Sequence, residues 1–269
     1  MVSMDFQVKD QCVLCGARTL SLWFQGKEEV WNSCDRCGLR FVNPWPVVPA
    51  KTLYTDIFDT PVDTSHTPDT RGTELEQSFE YAVLHLRSGG NRLLDVGCHN
   101  GSFLVRMRQR GWEVVGIDAS IKPVEYARRV HRLKVYHGGV EDLPLDIGCF
   151  DMITIWEIVE HMTTPLKSLE TVKRLLSPGG IVAISMPNGR SWVANAAKEA
   201  WEKIYRKDHI ALYSPKTVRY LGKMLSLETC QVRTEGIGLE TIRQLGGGKS
   251  FPCLERLALE IVAQGNMHP

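Results

Sequence analysis

The run Leu93-Leu94-Asp95-Val96-Gly97-Cys98-His99-Asn100-Gly101-Ser102-Phe103-Leu104 constrains the fold of this chain more than any other segment. It begins as an apolar stretch typical of a buried strand, passes through a turn bracketed by two glycines, and enters an amphipathic helical pattern. A strand, glycine turn and helix in this order aim backbone N–H groups and the positive end of a helix dipole at the space above the strand. We interpret this place as a site for a nucleotide-like ligand.

An acid follows at a distance that supports this interpretation. A second strand is predicted from Trp112 to Ile117 and ends in Asp118, about twenty residues after Gly97. An acid there is placed to accept hydrogen bonds from a ribose diol. The turn is not a Walker phosphate loop, because no Gly-Lys-Ser/Thr follows Gly101, and it is not a full G-x-G-x-x-G.

Strand and helix patterns alternate through the rest of the chain, which predicts an α/β fold with a parallel sheet covered on both faces. With 269 residues, 43% of them hydrophobic, the chain is long enough for one sizeable core and a small appendage. Strands are expected near 92–97, 113–118, 133–136, 150–156 and 180–186, with 227–235 and 257–264 completing the sheet. Helices are expected near 73–88, 101–110, 121–131, 165–176, 191–205 and 215–225.

Four cysteines near the N-terminus form a C-x2-C-x18-C-x2-C pattern: Cys12, Cys15, Cys34 and Cys37. A glycine follows each pair, and two such knuckles on opposed hairpins make a tetrahedral four-sulfur site that suits zinc. A rubredoxin-like iron site uses the same ligands, and redox-active or incidental thiols can also have this spacing. Because all four ligands are thiolates, we assign a structural role, with metal binding supplying the folding energy of a small ribbon.

Composition narrows the partners and the compartment. The formal net charge is +1, from 32 basic and 31 acidic residues, so the footprint of a dedicated duplex-binding protein is missing. No segment approaches eighteen consecutive apolar residues, and residues 1–10 lack an apolar signal region. We therefore expect a cytoplasmic protein with reduced cysteines and no membrane partner.

The motifs together resemble class I S-adenosylmethionine-dependent methyltransferases over about residues 75–235. The resemblance rests on five segments in the family's order: Leu93 to Leu104, Val114 to Asp118, Gly138 to Pro144, Phe150 to His161, and Leu175 to Gly180. It is closest to the ubiquinone-biosynthesis-like group that carries an N-terminal zinc ribbon. The resemblance implies a Rossmann-like seven-stranded sheet, mostly parallel with an antiparallel last strand, plus that ribbon.

The cysteine pattern, the composition and the resemblance together lead us to expect a chain of three parts. Residues 1–46 are the zinc-ribbon module, and residues 47–90 are a linker, a lid and the first helix. Residues 91–269 are the cofactor-binding methyltransferase domain, with a substrate-capping insertion at about 187–213.

The resemblance also implies roles for single residues in binding S-adenosylmethionine. Asp95, Gly97 and Gly101 line the methionine moiety, and Asp118 holds the ribose hydroxyls. The remaining cofactor-binding positions are Ala119 after the ribose acid, Val140 and Glu141 beside the adenine, and Trp156 on the methyl-donor side. His99 departs from the family pattern, because glycine usually stands there and a side chain is expected to lie where the backbone passes closest to the ligand.

A hydroxyl acceptor needs a base within hydrogen-bond reach, and His161 is the first candidate. If a short helix begins at Glu157, then Glu157, Glu160 and His161 share one face and a carboxylate can orient the imidazole. The alternative is that Glu160 and His161 only brace the following loop. His209 is the second candidate for the base, and its alternative is a structural hydrogen bond.

We therefore expect methyl transfer from S-adenosylmethionine to a small-molecule acceptor, with oxygen favoured over nitrogen or carbon, and we leave the oligomeric state open. One alternative is a zinc-ribbon RNA base methyltransferase. The ribbon speaks against nucleic acid, because its basic residues between Cys12 and Cys37 are only Arg18, Lys27 and Arg36. A second alternative is a binding module that has lost the cofactor, for which His99 is the motivating feature.

Overall fold

The computed structural model describes residues 5–26, 29–47, 70–191, 194–195, 208–234 and 260–265. The predicted lid before residue 70 and most of the predicted helix at 191–205 lie outside the described residues. The helices are α1 (Thr70–Val83), α2 (Ser102–Gln109), α3 (Ile121–Val130), α4 (Pro165–Arg174) and α5 (Pro215–Met224). The strands are β1 (Phe6–Gln7), β2 (Leu20–Gln25), β3 (Val30–Cys34), β4 (Arg40–Val42), β5 (Trp45–Pro46), β6 (Arg92–Val96), β7 (Glu113–Asp118), β8 (Lys134–His137), β9 (Phe150–Trp156), β10 (Leu176–Ser185), β11 (Ala211–Leu212), β12 (Leu227–Arg233) and β13 (Glu260–Gly265).

The central sheet has the strand order β12-β13-β10-β9-β6-β7-β8. Strands β10, β9, β6, β7 and β8 are parallel to one another, whereas β13 is antiparallel to both β10 and β12. The predicted α/β fold with a mostly parallel sheet is therefore confirmed.

Helices cover both faces of this sheet. On one face, Phe79 of α1 and Phe103 of α2 pack in the same apolar cluster as Met152 of β9 and Ala183 of β10. On the other face, α4 and α5 pack against the alternate side chains of the same strands, such as Ile153. Because the central strands β6 and β9 are buried on both sides, they have nearly continuous apolar sequences, which is typical of parallel sheets.

Strand β6 lies at the point where the strand order reverses. From β6 the chain proceeds outward through β7 to β8, and then crosses back to β9 on the other side of β6. The loops that leave β6 and β9 therefore depart in opposite directions and open a crevice at the carboxyl edge of the sheet. In open α/β sheets this is where ligands bind.

The N-terminal ribbon shares a sheet with a distant part of the chain. Its strands form a four-stranded sheet in the order β11-β4-β3-β2, in which Ala211 pairs with Phe41 and Leu212 with Arg40. Most of the ribbon's buried side chains, Phe41 among them, belong to the same apolar cluster as Tyr213, and Trp31 packs separately against Leu212 of β11. A ribbon too small for a core of its own is thus stabilised by packing on the residues that follow the parallel strands.

Two predicted boundaries were wrong. Helix α1 ends at Val83 rather than near residue 88, because His85 and Leu86 donate to the carbonyls of Ala82 and Val83 in tighter, three-residue turns. Strand β10 begins at Leu176 rather than near 180, because Leu176 already pairs with Phe150 ahead of an irregularity in the ladder.

Among the described residues, none of the helices is both long and apolar enough to cross a bilayer.

Candidate active site

The turn after β6 adopts backbone conformations that its glycines permit. Gly97 and Gly101 have φ values of +84° and +78°, in the left-handed region that side chains disfavour. A Cβ atom at Gly97 would lie 2.3 Å from the Ile158 side chain, and one at Gly101 would lie 2.4 Å from Leu133. These glycines therefore serve the packing of the loop as well as its path around a ligand.

Asp118 stands at the carboxyl end of β7, and its carboxylate is held by two backbone donors. Oδ2 accepts from the N–H of His99 and Oδ1 from the N–H of Ser120, each at 2.8 Å. The side chain is 9% exposed. Two charge-assisted hydrogen bonds fix its orientation and leave further lone pairs for a ligand's hydroxyl groups.

His99, the residue that departs from the family pattern, occupies the turn in a left-handed conformation with a φ of +47°. Its side chain is exposed, and its backbone N–H is the donor to Asp118. The backbone at this position thus does what a glycine would do there, while the imidazole projects outward. The conformational cost of a side chain in this region is offset locally by the bond to the carboxylate.

Asp95 lies within the sheet beneath the turn and is 3% exposed. Thr154 of β9 donates its hydroxyl to Asp95 Oδ1 at 2.7 Å. Burial raises the pKa of Asp95 to about 7, and the nearby charge of Asp118 adds to this effect. Asp95 is therefore a carboxyl group whose protonation state changes near neutral pH.

The residues predicted beside the adenine lie in and around one short 3₁₀ helix, Val140–Asp142. Val140 is buried, and Glu141 accepts a 2.6 Å hydrogen bond from the hydroxyl of Ser168 on α4. The carbonyl of Ala119 is bonded to His137 Nε2 at 2.9 Å. The sequence analysis did not identify Ser168 as a partner of Glu141. The only feature that could have indicated it is its place in the first turn of a helix that begins with Pro165.

The segment after β9 differs from the predicted helix. A 3₁₀ helix covers only Val159–His161, and Glu157 precedes it with a φ of +55°. The expectation that Glu157 shares one helical face with Glu160 and His161 was therefore wrong, because a left-handed residue breaks the helical periodicity. Trp156, the last residue of β9, is 8% exposed and packs edge-to-face on Phe103 with ring centroids 6.0 Å apart.

His161 and His209 lie together in the interior. Their ring centroids are 4.6 Å apart, and the side chains are 4% and 3% exposed. His161 Nδ1 donates to the carbonyl of Asp208 at 2.6 Å, so the neutral ring keeps its lone pair on Nε2. Nε2 lies 4.0 Å from Oε1 of the buried Glu160.

These three side chains form a compact polar group. Glu160, His161 and His209 each offer one ligand-type atom, and these atoms all lie within 4.8 Å of one another. Two imidazoles beside a carboxylate can move a proton, and the same donor types bind divalent metal ions. Sequence reasoning found the two histidines separately, but it gave no sign that they are in contact.

The four ribbon cysteines converge as the spacing predicts. Their sulfur atoms all lie within 4.8 Å of one another, with Cys12 and Cys37 at 3.6 Å and Cys15 and Cys34 at 3.6 Å. Four thiolates at about 2.3 Å from a tetrahedral zinc ion are spaced about 3.8 Å apart, so the donor set fits this metal. The close contact with Cys37 lowers the pKa of Cys12 to about 5, and the same contact raises the pKa of Cys37.

Comparison with known proteins agrees with this geometry. Residues 70–228, more than half of the chain, match a family described as a methyltransferase domain. The chain is 36% identical over 109 residues to the ubiquinone biosynthesis O-methyltransferase of Haemophilus ducreyi, a match that covers 37% of this chain and 46% of that protein. It is 29% identical over 177 residues to the protein of the same name from Chromobacterium violaceum, covering 62% of this chain and 73% of that one.

A solved structure shares the fold. The plantazolicin methyltransferase BpumL, in complex with a triazolic desmethylPZN analog and SAH, superimposes with a TM-score of 0.54 at 18% sequence identity. The superposition covers 74% of this chain and 87% of that one. Residues 70–228, which match the family model, contain β6, β7 and β9 with the glycine turn and Asp118, and the chain therefore belongs to the methyltransferase domain family.

Proposed function

We propose that this protein transfers a methyl group from S-adenosylmethionine to an oxygen atom of a small-molecule acceptor. The observation that carries the proposal is Asp118, whose carboxylate is held by the backbone of His99 and Ser120 beside the glycine turn. An acid so oriented at the strand-order reversal suits a ribose diol. The proteins named ubiquinone biosynthesis O-methyltransferase support an oxygen acceptor.

The residues around the glycine turn each contact a different part of this cofactor in the proposed complex. Asp118 takes the ribose hydroxyls, and Val140 with Glu141 and the Ala119 backbone flank the base. Asp95, Gly97, His99 and Gly101 surround the methionine end, and Trp156 and Glu157 border the side from which the methyl group leaves. When bound, S-adenosylmethionine supplies an electrophilic methyl group, so the protein's main task is to align the acceptor behind it.

The buried polar group is the proposed route for the acceptor's proton. His161 Nε2 carries the lone pair, because Nδ1 donates to Asp208. Glu160 at 4.0 Å and the neighbouring His209 stabilise the imidazolium that forms when Nε2 takes a proton. A hydroxyl acceptor thus loses its proton to a group that the fold already holds in one tautomer.

We propose zinc in the ribbon, in a structural role. Four sulfur ligands leave no coordination position for a substrate or water. The ribbon contacts the acceptor side through Arg40, whose guanidinium donates to the carbonyl of Gly189 and to Asn195 Oδ1. The ribbon also pairs through β4 with β11, and Val42 donates to the carbonyl of Ile210, so a metal that orders the ribbon would stabilise the segment that carries His209.

Calorimetry with S-adenosylhomocysteine tests the proposed function directly. We expect saturable binding by the wild-type protein, followed by turnover of S-adenosylmethionine when a phenolic acceptor is added. An absence of heat at millimolar ligand contradicts the proposal and favours a binding module without cofactor. Turnover on ribosomal RNA fragments but not on small acceptors would favour the RNA base methyltransferase instead.

A further inference from the structure

Two polar side chains at the carboxyl edge of the sheet stand side by side. Trp156 ends β9 and Ser185 ends β10, and the two residues are partners in the parallel ladder. Paired residues of neighbouring parallel strands project to the same face, with their backbones about 4.8 Å apart. The register therefore sets a side chain with an indole N–H and a side chain with a hydroxyl at neighbouring positions on one face of the sheet.

The indole nitrogen of Trp156 and the hydroxyl oxygen of Ser185 are both buried. Trp156 is 8% exposed and Ser185 is 3% exposed, yet neither Trp156 Nε1 nor Ser185 Oγ has a hydrogen-bond partner among the described residues. Tryptophan N–H groups and serine hydroxyls in protein interiors normally have a hydrogen-bond partner, because a buried donor without one loses its hydrogen bonds to water and gains none in return. Two unpaired donors on adjacent strands indicate a place that a ligand completes.

The position of the pair relates it to the methyl-donor site. In the ladder between β6 and β9, Asp95 is the partner of Thr154 and Val96 that of Ile155. One further step along the same register sets Gly97 of the glycine turn beside Trp156. Trp156 and Ser185 therefore lie next to the glycine turn, on the side of β10. The proposed function assigns this turn to the methionine end of the cofactor.

The surroundings of the pair are apolar and aromatic. Phe103 packs edge-to-face on Trp156, and Phe79 packs in the same way on Phe103 at 5.8 Å. Ala183, two residues before Ser185 and on the same face, belongs to this cluster. A ligand atom that reaches the two donors is therefore the polar part of an otherwise flat, apolar molecule.

We propose that Trp156 Nε1–H and Ser185 Oγ–H together bind one oxygen atom of the methyl acceptor, in addition to the oxygen that is methylated. This inference rests on the proposed function, because it names the chemistry of that site's substrate. Two donors select an oxygen that accepts two hydrogen bonds, as in a carbonyl, a carboxylate or a second, deprotonated ring hydroxyl. A flat ring with two neighbouring oxygens, such as a catechol, satisfies the pair and presents its second oxygen for methylation.

The test uses catechol as the probe and 1,2-diaminobenzene as its matched control, since the diamine has the same shape but presents N–H donors. Titrations are made on the full chain saturated with S-adenosylhomocysteine. We expect catechol to bind and the diamine to bind at least tenfold more weakly. Equal binding of the two probes, or no binding of catechol, overturns the inference.

Variants separate the acceptor's oxygen from a carboxylate oxygen of the cofactor. Trp156→Phe and Ser185→Ala each remove one donor and keep most of the side chain, and we expect each to weaken catechol about fivefold to tenfold. S-adenosylhomocysteine should bind Ser185→Ala within twofold of wild type, because Ser185 has no proposed contact with the cofactor. If the cofactor product weakens instead and catechol does not, the pair serves the cofactor and the inference is wrong.

Matched controls and a direct signal complete the experiment. Trp112→Phe alters the same aromatic cluster away from the edge, and Ser177→Ala lies at the opposite end of β10, so both should leave catechol binding unchanged. In a protein with ¹⁵N-labelled tryptophan, the indole resonance missing in Trp156→Phe is that of Trp156. It should move downfield when catechol binds, and a resonance that stays in place contradicts the hydrogen bond. Loss of S-adenosylhomocysteine binding by the wild type would defeat the proposed function instead, and so the two failures are distinguishable.

Discussion

The backbone N–H of Ile210 donates to the carbonyl of Glu160 at 3.0 Å. The carbonyl of Ile210 accepts in turn from Val42 of the ribbon, also at 3.0 Å. The segment that carries His209 is therefore bonded on one side to the turn that carries His161 and on the other side to the cysteine module. Changes in the ribbon are expected to reach the acceptor side of the site through this pair of bonds.

Replacement of one ribbon cysteine tests the metal and its reach. Cys34→Ser should release the metal and destabilise the ribbon, since one of four ligands is lost. We expect metal content by plasma mass spectrometry to fall from one ion per chain to well below one. Cys149→Ser is the control, because Cys149 is exposed and lies outside the cluster. Full metal content in Cys34→Ser would contradict the four-ligand assignment.

Asp118→Asn tests the ribose site. The substitution keeps the shape of the side chain, but its NH2 group cannot accept from a ribose hydroxyl or from one of the two backbone N–H groups that hold Asp118, so the affinity for S-adenosylhomocysteine should fall by about 1–3 kcal/mol. Calorimetry measures the change, with Asp146→Asn in an exposed loop as the control. An unchanged dissociation constant in Asp118→Asn would show that the ribose lies elsewhere.

His161→Gln tests the proposed base. The glutamine can still donate to the Asp208 carbonyl but cannot take a proton, so kcat for a phenolic acceptor should fall by roughly 10²–10⁴. S-adenosylhomocysteine should bind as in wild type. His131→Gln serves as the control. His131 directly follows α3, which connects β7 to β8, and these strands lie on the other side of β6 from the strand β9 that leads to His161. Retention of full kcat would leave Glu160 and His161 with only the bracing role.

Asp95 gives the stability of the fold a pH dependence. Its pKa in the folded protein is raised to about 7 by burial, whereas an unfolded aspartate titrates near 4, so the folded state holds the proton more tightly. The contribution of this group is fully present below about pH 4 and is lost as pH rises toward 7. Its limit is about 4 kcal/mol.

Urea unfolding between pH 4.5 and 7.5 measures this effect. The free energy of unfolding of the wild type should decrease with rising pH relative to that of Asp95→Asn, which cannot ionise. Asp146→Asn should follow the wild type. Parallel curves for the wild type and Asp95→Asn would show that burial does not hold the Asp95 proton.

The sequence predicted some parts of the site well and others poorly. Asp118 and the four cysteines lie where their spacing put them, because both depend on local patterns: a strand of fixed length and a knuckle of fixed geometry. Glu157 was misplaced because helical periodicity was assumed through a residue that takes a left-handed conformation. The sequence Trp156-Glu157-Ile158 contains no residue that predicts a left-handed conformation. In the structure, the N–H of Glu157 donates to the carbonyl of Ser185 on the neighbouring strand, a tertiary contact that the local sequence does not reveal.

The sequence by itself determined the alternation of strands and helices, the glycine turn and the cysteine knuckles, because hydrophobic period and glycine placement act over a few residues. Only the tertiary structure decided that β11 joins the ribbon, that His161 contacts His209, and that Trp156 stands beside Ser185. These contacts join segments far apart in the chain, and they follow from strand order and register. Their physical origin is the burial of both faces of one sheet, which no single segment encodes.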